Sequence, residues 1–217
     1  MSFNTTSLIS SIRECSACSF RDQVLTPVAP AIIDVPVNIM FVGENPSWAE
    51  DQIEPFASNT ISGYALEKYY LQPLGLTRSK VWITDLFKCR YPKDIYRSKS
   101  LNEHLIQANA ETCIGTWLTQ EILLAQPRII VTLSNQQVYQ RLRIAFSLST
   151  PKAFDSAVGK PHQVSIGYWE GLLFPMIHPD ISRPVDGHDR RKEAARLKWA
   201  PLHSNTHIPS LRSLLAS

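Results

Sequence analysis

Four cysteines are the residues whose type and spacing most clearly allow chemistry in this sequence. Cys15 and Cys18 form a close pair, whereas Cys89 and Cys113 stand alone. Thiolates hold zinc ions or iron–sulfur clusters, and because a zinc ribbon more often has two close pairs, this spacing favours a cluster. The alternatives are a zinc-stabilised protein, or a buried helix residue at Cys113 with a free thiol at Cys89.

Polar residues that suit catalysis or binding follow the apolar segments. Residues 43–56 follow one segment, residues 85–90 the next and Ser134-Asn135 a third, and His178 begins a His-Pro-Asp run after the last. If these segments are parallel strands, their carboxyl ends meet at one edge of a sheet, where chemistry collects in α/β folds. Ser134-Asn135 also begins a helix, whose free backbone N–H groups favour phosphate.

The elements that must position these residues alternate between strand and helix. Apolar runs and helical spacing predict, in order, helix 7–14, strand 37–42, helix 64–71, strand 81–87, helix 101–124, strand 128–133, helix 135–144, strands 164–169 and 172–177 paired around Glu170-Gly171, and helix 189–199. Parallel neighbours require crossovers, so this order indicates a three-layer α/β/α sandwich with a largely parallel central sheet.

Length and composition fit a single domain over residues 1–217. Of the 217 residues 44% are hydrophobic and 19% charged, unlike a disordered chain. The apolar runs are shorter than the roughly 20 residues that span a bilayer, and the N-terminus lacks a basic and apolar leader. We therefore expect a cytoplasmic protein without membrane contact. Residues 183–217 hold seven Lys and Arg against three Asp and Glu, which indicates a solvated helix face or phosphate contact.

The cysteines and the strand-end motifs together resemble the uracil-DNA glycosylase superfamily, most closely its iron–sulfur branch, families 4 and 5. The resemblance rests on Cys15-x-x-Cys18, Phe41-Val-Gly-Glu-Asn-Pro46, Glu50-Asp51, Pro55-Phe56, Val81-Trp-Ile-Thr-Asp-Leu-Phe-Lys-Cys-Arg90, Cys113, Ile129-Ile-Val-Thr-Leu133 and His178-Pro-Asp180. It implies a monofunctional DNA glycosylase, a monomer, that flips a pyrimidine out of single- or double-stranded DNA and leaves an abasic site. Base-excision repair is the ordinary role of such enzymes.

The resemblance also assigns roles to individual residues. It implies a [4Fe–4S] cluster on all four cysteines, which serves structure and DNA docking. Asn45 would orient the attacking water, with Glu44 as the second candidate. His178 would donate a hydrogen bond to O2 of the departing base, and Phe56 would stack on that base beside Gly43. The residues expected to bind DNA phosphate are Ser134, Asn135, Lys88, Arg90 and Arg183, and Lys88 and Arg90 have the alternative role of offsetting the negative charge of the cluster.

One departure from the family motif bears on the substrate. The family reads uracil with the Asn of an Ile-Thr-Asn segment, and this chain has Asp85 at that position. A protonated Asp85 would accept from N4–H of cytosine and donate to N3. We therefore predict a bias towards cytosine or a cytosine derivative, the latter because release of plain cytosine would destroy the cell's own genome. Such a bias would suit defence against modified phage DNA.

Two further departures concern the loop around Phe56. Glu54 replaces the glycine that usually precedes Pro-Phe, and residues 58–63 look longer than the family's loop. A more open loop would admit a bulky substituent at C5 of the pyrimidine. The alternative to an enzyme is a non-catalytic iron–sulfur member of the same superfamily that binds DNA.

Overall fold

Strands and helices alternate along most of the chain. The computed structural model describes residues 4–19, 21, 27–46, 53–90, 95, 98, 102–134, 136–183 and 190–217. Its elements are α1 (Thr5–Arg13), β1 (Ile39–Gly43), α2 (Ile61–Leu66), α3 (Gln72–Leu74), β2 (Trp82–Asp85), α4 (Glu103–Cys113), α5 (Thr119–Ala125), β3 (Ile129–Leu133), α6 (Gln137–Ala145), α7 (Phe154–Ala157), β4 (His162–Ile166), β5 (Trp169–Met176), α8 (Arg190–Leu202) and α9 (Ile208–Ala216). Short π-helical segments, Glu67–Leu71, Ile114–Leu118 and His203–His207, join α2 to α3, α4 to α5 and α8 to α9.

The five strands form one sheet in the order β2-β1-β3-β5-β4. All neighbouring pairs are parallel except β4 and β5. The chain leaves β1 for β2 on one side and later returns to β3 on the other, so the connections diverge at the carboxyl end of β1. In open α/β sheets this divergence produces a crevice that binds ligands.

The sheet is covered on both faces. In β1, Met40 and Val42 pack into a core with residues of α1, α4, α5 and α6. Ile39 and Phe41 of the same strand pack on the opposite face, with residues of α2, the following π-helical segment and α9. Because alternate side chains of a strand point to opposite faces, a strand buried on both sides reads as a continuous apolar run. The predicted α/β/α sandwich with a largely parallel sheet is confirmed.

Three details differ from the sequence-based prediction. The turn between β4 and β5 lies at Gly167 and Tyr168, not at Glu170-Gly171, because Gly167 can adopt the required φ of +60°. The long helix predicted over 101–124 begins as α4 and is interrupted by a π-helical segment before α5. Helix α9, which the prediction lacked, buries Ile208 and Leu211 against the sheet.

The described part of the chain has no helix long and apolar enough to cross a membrane.

Candidate active site

A cavity of about 800 Å³ lies beyond the carboxyl ends of β1, β2, β3 and β5. Its walls include Glu44, Asn45, Phe56, Asp85, Ser134 and His178. These residues lie far apart in the sequence and meet because parallel strands end at the same edge of the sheet. The structure therefore brings together the residues predicted for the water, the base and the leaving group.

The loop after β1 places Asn45 at this edge. The main-chain oxygens of Gly43 and Glu44 accept hydrogen bonds from the N–H groups of Leu86 and Phe87, at 2.9 and 3.0 Å, which join this loop to the one after β2. The Asn45 amide Nδ2 donates to the Pro46 oxygen at 2.9 Å. That bond engages the amide nitrogen with its own loop, and Oδ1 is the atom of this side chain that can accept a hydrogen bond.

Gly43 allows two other site residues to approach the end of β1. A Cβ atom at this position would lie 2.2 Å from Oδ1 of Asp85 and 2.4 Å from Cε2 of Phe56. Neither the carboxyl group nor the aromatic ring could remain in place beside any larger residue. The absence of a side chain at Gly43 therefore allows both the Asp85 carboxyl and the Phe56 ring to lie against the end of β1.

Asp85 is the last residue of β2 and is only 2% exposed. Its buried Oδ1 has no hydrogen-bond partner among the described residues. Burial is the main cause that raises the pKa of the Asp85 carboxyl to about 7. The positive charge of Lys88 lowers this pKa, and the negative charges of Glu121 and Glu44 contribute to raising it. The carboxyl is therefore neutral below about pH 7, with an oxygen available to a ligand.

The Phe56 ring is held by its own strained loop. Phe56 has a φ of +51°, a left-handed conformation that is unfavourable for an aromatic residue. The Arg78 guanidinium donates to the main-chain oxygens of Phe56 and Pro55 at 3.0 and 3.1 Å, and pairs with Glu54 at 3.2 Å. These contacts stabilise the loop, and nothing in the sequence indicated this role for Arg78.

His178 follows β5 and faces the same cavity as Phe56. The two ring centroids lie 6.1 Å apart at an angle of 36°. Burial lowers the pKa of His178 to about 4, opposed by the charge of Asp180 and assisted by that of Lys192. The main-chain N–H of Asp180 donates to Nδ1 at 3.2 Å. A neutral ring that accepts at Nδ1 carries its proton on Nε2, where it can donate.

Asp180 links the His178 loop to helix α8. Its carboxylate pairs with Arg183 at 3.1 Å, with Arg196 at 3.2 Å and also with Lys192. Burial opposes ionisation, but the hydrogen bond from Lys192 and the charges of Lys192 and Arg196 hold the pKa of Asp180 below its usual value. The paired carboxylate fixes the main-chain N–H that orients His178.

The four cysteines are all free thiols, and three of them are buried. Cys18 forms hydrogen bonds with Cys89 and Cys113, and these bonds, burial and the neighbouring thiols raise the pKa of both. Sγ of Cys15 accepts from Nε1 of Trp117 at 3.1 Å. Four cysteine side chains that lie close enough to interact, with an N–H donor at Cys15, are a donor set that an iron–sulfur cluster can use once the thiols lose their protons, so these residues fit the implied cluster. In the described residues, no set of three or more His, Cys, Asp or Glu is arranged to hold a single metal ion.

Comparison with known proteins decides the family. Residues 30–194 match the model of the Uracil DNA glycosylase superfamily. The chain belongs to this superfamily. It is 28% identical over 204 residues to a Type-4 uracil-DNA glycosylase of Saccharolobus solfataricus, which covers 88% of this chain and 85% of the relative. A Type-4 uracil-DNA glycosylase of Sulfurisphaera tokodaii is 30% identical over 173 residues, covering 78% and 70% of the two chains.

A third relative, the Type-4 uracil-DNA glycosylase of Archaeoglobus fulgidus, is 30% identical over 127 residues, which is 58% of this chain and 57% of the relative. The resemblance to the family 4 branch of the uracil-DNA glycosylase superfamily is confirmed. The expected enzyme class, a monofunctional DNA glycosylase, is confirmed with it.

Of the residues expected to bind DNA phosphate, some lie in or near the cavity, and one lies outside the described residues. Ser134 lines the cavity, and its Oγ accepts from the N–H of Val138 at 3.0 Å, which caps α6. Arg183 lies beside the cavity on Asp180, and Arg90 is half-buried in the loop after β2. Asn135 and the motif Glu50-Asp51 lie outside the described residues.

The assignment of Lys88 to DNA phosphate is wrong. Lys88 is 1% exposed and its Nζ points into the protein. It donates to Oγ1 of Thr84 and to the main-chain oxygen of Asp85, both at 2.7 Å, and pairs with Glu121. Burial excludes contact with DNA. A main-chain hydrogen bond from Lys88 and, to a smaller extent, its positive charge oppose the rise in the pKa of the Cys113 thiol.

The sequence did not indicate the wall opposite the catalytic residues. Arg141 of α6 is 5% exposed and lines the cavity. Its guanidinium contacts Gln107 and pairs with Glu103 of α4 at 2.9 Å, while the buried Nε has no hydrogen-bond partner among the described residues. Gln137 and Gln140 also line the cavity. On a helix these residues are typical of a solvated face, so only the packing of α4 against α6 identifies them.

Proposed function

We propose that this chain is a DNA glycosylase that hydrolyses the N-glycosidic bond of a flipped pyrimidine nucleotide. The observation that carries the proposal is the convergence of Asn45, Phe56, Asp85 and His178 on one cavity. An amide, an aromatic ring, a neutral carboxyl and a neutral imidazole are the groups needed to hold a water, stack a base, read its edge and stabilise its departure.

Asn45 orients the attacking water. Its amide cannot remove a proton at neutral pH, so it supports a largely dissociative path in which a cationic sugar forms before the water adds. Oδ1 accepts a hydrogen bond from the water and aligns it. Glu44, on the same loop and also in the cavity wall, is the second candidate for this role, and its carboxylate would supply negative charge to stabilise the sugar cation.

His178 stabilises the leaving group. The neutral ring donates from Nε2 to O2 of the base, where negative charge accumulates as the bond breaks. A positioned donor of this kind contributes about 3–4 kcal/mol to the transition state. A neutral donor suits this step, because it does not lose its proton to bulk solvent at physiological pH.

Asp85 reads the edge of the base, with Phe56 stacked on its face. A protonated carboxyl accepts from N4–H of cytosine through one oxygen and donates to N3 through the other, and a proton moved towards N3 makes cytosine a better leaving group. We therefore infer a cytosine-type base as the first candidate. The observation in favour is the pKa of about 7 that burial gives Asp85.

The cavity has room for more than a plain base. Its volume of about 800 Å³ lies near the upper end of the range for pockets that hold drug-sized ligands. On the cavity wall, Arg141 supplies one donor, a buried Nε with no hydrogen-bond partner among the described residues, whereas the amide groups of Gln107 and Gln140 already donate within the protein. These features favour a cytosine with a polar substituent at C5. Such a base marks foreign DNA, so this candidate fits a role in defence against modified phage DNA. Uracil, the other candidate, fits a role in base-excision repair.

Uracil is the second candidate. The curated relatives are named uracil-DNA glycosylases. A neutral Asp85 can also fit uracil, because a carboxyl with its proton on the other oxygen accepts from N3–H and donates to O4. An ionised Asp85 fits neither base, since it presents only acceptors.

A panel of oligonucleotides distinguishes these candidates. Single- and double-stranded DNA carrying uracil, cytosine or 5-substituted cytosines is incubated with the protein, and abasic sites are detected by alkaline cleavage. We expect release of a 5-substituted cytosine, and release of uracil alone would reject the cytosine proposal. In Asp85→Asn, the restored amide is expected to move release towards uracil.

The same panel tests the catalytic roles proposed for Asn45 and His178. Asn45→Ala and His178→Ala are expected to lose base release and to retain DNA binding. If the wild-type protein binds DNA but releases no base from any oligonucleotide, the non-catalytic alternative is correct.

A [4Fe–4S] cluster on Cys15, Cys18, Cys89 and Cys113 is part of the proposal. When bound, it would supply structural support and a DNA-docking surface, not redox turnover. A cluster held by these four cysteines would join the segment after α1, the loop after β2 and the end of α4, and so would fix the loop that follows Asp85. Iron and labile sulfide in protein purified without oxygen would support the cluster, and zinc in their place would exclude it.

A further inference from the structure

A buried ion pair lies directly behind the base-reading residue. Glu121 of α5 is fully buried, and its carboxylate pairs with Nζ of Lys88. Oε2 of Glu121 also accepts a hydrogen bond from Nε1 of Trp82 at 3.1 Å. Placing two charges in a protein core is costly, and replacing such a pair with apolar residues is often neutral or stabilising. Stability alone therefore gives little reason for this pair.

The network continues from Lys88 to the end of β2. Nζ donates to Oγ1 of Thr84 and to the main-chain oxygen of Asp85, each at 2.7 Å. Lys88 thus bonds directly to the residue whose carboxyl faces the cavity. Among the described residues, α5 contributes none to the cavity wall, and the ammonium group of Lys88 connects its Glu121 to the main chain of Asp85.

We propose that Glu121, acting through Lys88, is a positioning residue for Asp85: it holds the end of β2 in place and neutralises the ammonium group, so that the Asp85 carboxyl stays uncharged in the cavity. The proposal rests on the proposed function, because it assumes that Asp85 reads the base as a neutral group.

The charges that face Asp85 come from three elements. Lys88 lies on the loop after β2, Glu121 on α5 and Glu44 after β1. Lys88 lowers the pKa of Asp85, whereas Glu121 and Glu44 raise it, and burial raises it most. Without the charge of Glu121, the ammonium of Lys88 is uncompensated and favours the ionised carboxylate. Asp85 then loses its proton at a lower pH.

Glu121→Gln tests the proposal, because the amide keeps the shape of the side chain but carries no charge, and its single oxygen can accept from Lys88 or from Trp82, which now bond to different oxygens. Two readouts are measured on the full-length protein: base release against pH, and the titration of the Asp85 carboxyl by carbon NMR. We expect both midpoints to fall by about 1 pH unit, the lower end of the effect of a nearby charge. The matched control is Glu170→Gln, an exposed carboxylate at the opposite end of β5, which is expected to leave both midpoints unchanged.

A second variant keeps the proposal testable if the Glu121→Gln protein does not fold. In the double variant Glu121→Gln with Lys88→Met, both charges are absent, and the Asp85 midpoint is expected at or above its wild-type value. A purely structural ion pair would lower stability without moving either midpoint.

The outcomes separate the two proposals. A folded Glu121→Gln protein with wild-type midpoints, or a double variant with a lowered Asp85 midpoint, would overturn the role of Glu121. If the wild-type protein releases no base, the proposed function fails, and the NMR titration still decides whether Glu121 controls the charge of Asp85.

Discussion

At the scale of residues, burial sets the charge state of the two groups that would contact the base. Burial lowers the pKa of His178 to about 4 and raises that of Asp85 to about 7. Both groups are therefore neutral between these values. A neutral donor and a neutral carboxyl can form directional hydrogen bonds with a pyrimidine without placing a net charge in a buried cavity.

Base release is expected to follow this window. The value of kcat/KM should be highest between about pH 4 and pH 7. It should fall above pH 7 as Asp85 ionises, and below pH 4 as His178 becomes protonated. Measurement across this range with one substrate gives the profile. Asp85→Asn should abolish the upper limb, and an upper limb that persists in this variant would show that another group controls it.

The free energy of unfolding should depend on pH in a way that reflects the raised pKa of Asp85. The folded protein keeps the proton of Asp85 up to about pH 7, whereas the unfolded chain loses it near the ordinary value of 3.8. The folded state thus binds more protons in this window, and the contribution of Asp85 to the free energy of unfolding falls as pH rises through it. Because His178 acts in the opposite direction, the measurement is the difference between wild type and Asp85→Asn in urea unfolding. A difference that does not change with pH would contradict the raised pKa.

Removal of the leaving-group donor has a defined expected cost. His178→Ala is expected to lower kcat by about 10²–10³-fold, the usual effect of losing one such donor, with little change in DNA affinity. His104→Ala, an exposed histidine on α4, is the control. Equal activities of the two variants would exclude His178 from the reaction.

At the scale of elements, the Phe56 loop depends on a contact from the turn before β2. Arg78 bonds two main-chain oxygens of that loop and pairs with Glu54 and Glu67. Since Phe56 has a positive φ, the loop needs such support to hold the ring over the cavity.

Loss of that support should reduce activity more than stability. Arg78→Met is expected to lower kcat/KM by about 10–100-fold, because a misplacement of about 1 Å at a reacting centre has effects of this size. Lys80→Met, an exposed residue two positions further on, should leave kcat/KM unchanged. If Arg78→Met retains full activity with an unaltered thermal unfolding midpoint, the loop does not require this contact.

At the scale of the whole molecule, the cysteines join segments that the sheet alone would leave apart. Cys113→Ser is expected to abolish iron binding and to lower the thermal unfolding midpoint by at least about 5 °C, since each kcal/mol corresponds to about 2–4 °C for a chain of this size. Iron content and calorimetry are the measurements. Thr112→Ala, the neighbouring position on α4, should retain the iron, and loss of iron in both variants would indicate general disruption of the helix.

The sequence by itself determined the order of strands and helices, the family and the strand-end residues that meet at the cavity. Short continuous apolar runs such as β1 and β3, each followed by turn residues or a helix, indicate strands buried on both faces, and parallel strands bring Asn45, Asp85 and His178 to one edge. These inferences depend on local pattern and on general rules of topology, which a linear sequence contains.

Only the tertiary structure decided which polar residues are buried. Lys88 was expected to bind DNA phosphate or to offset the charge of the cluster, and no motif included Glu121, yet the two residues pair in the core. Arg78 and Arg141 likewise show no local signal for their contacts with the Phe56 loop and the cavity wall. The charge state of an ionisable group depends on its burial and on neighbours from distant segments, and folding alone brings those neighbours together.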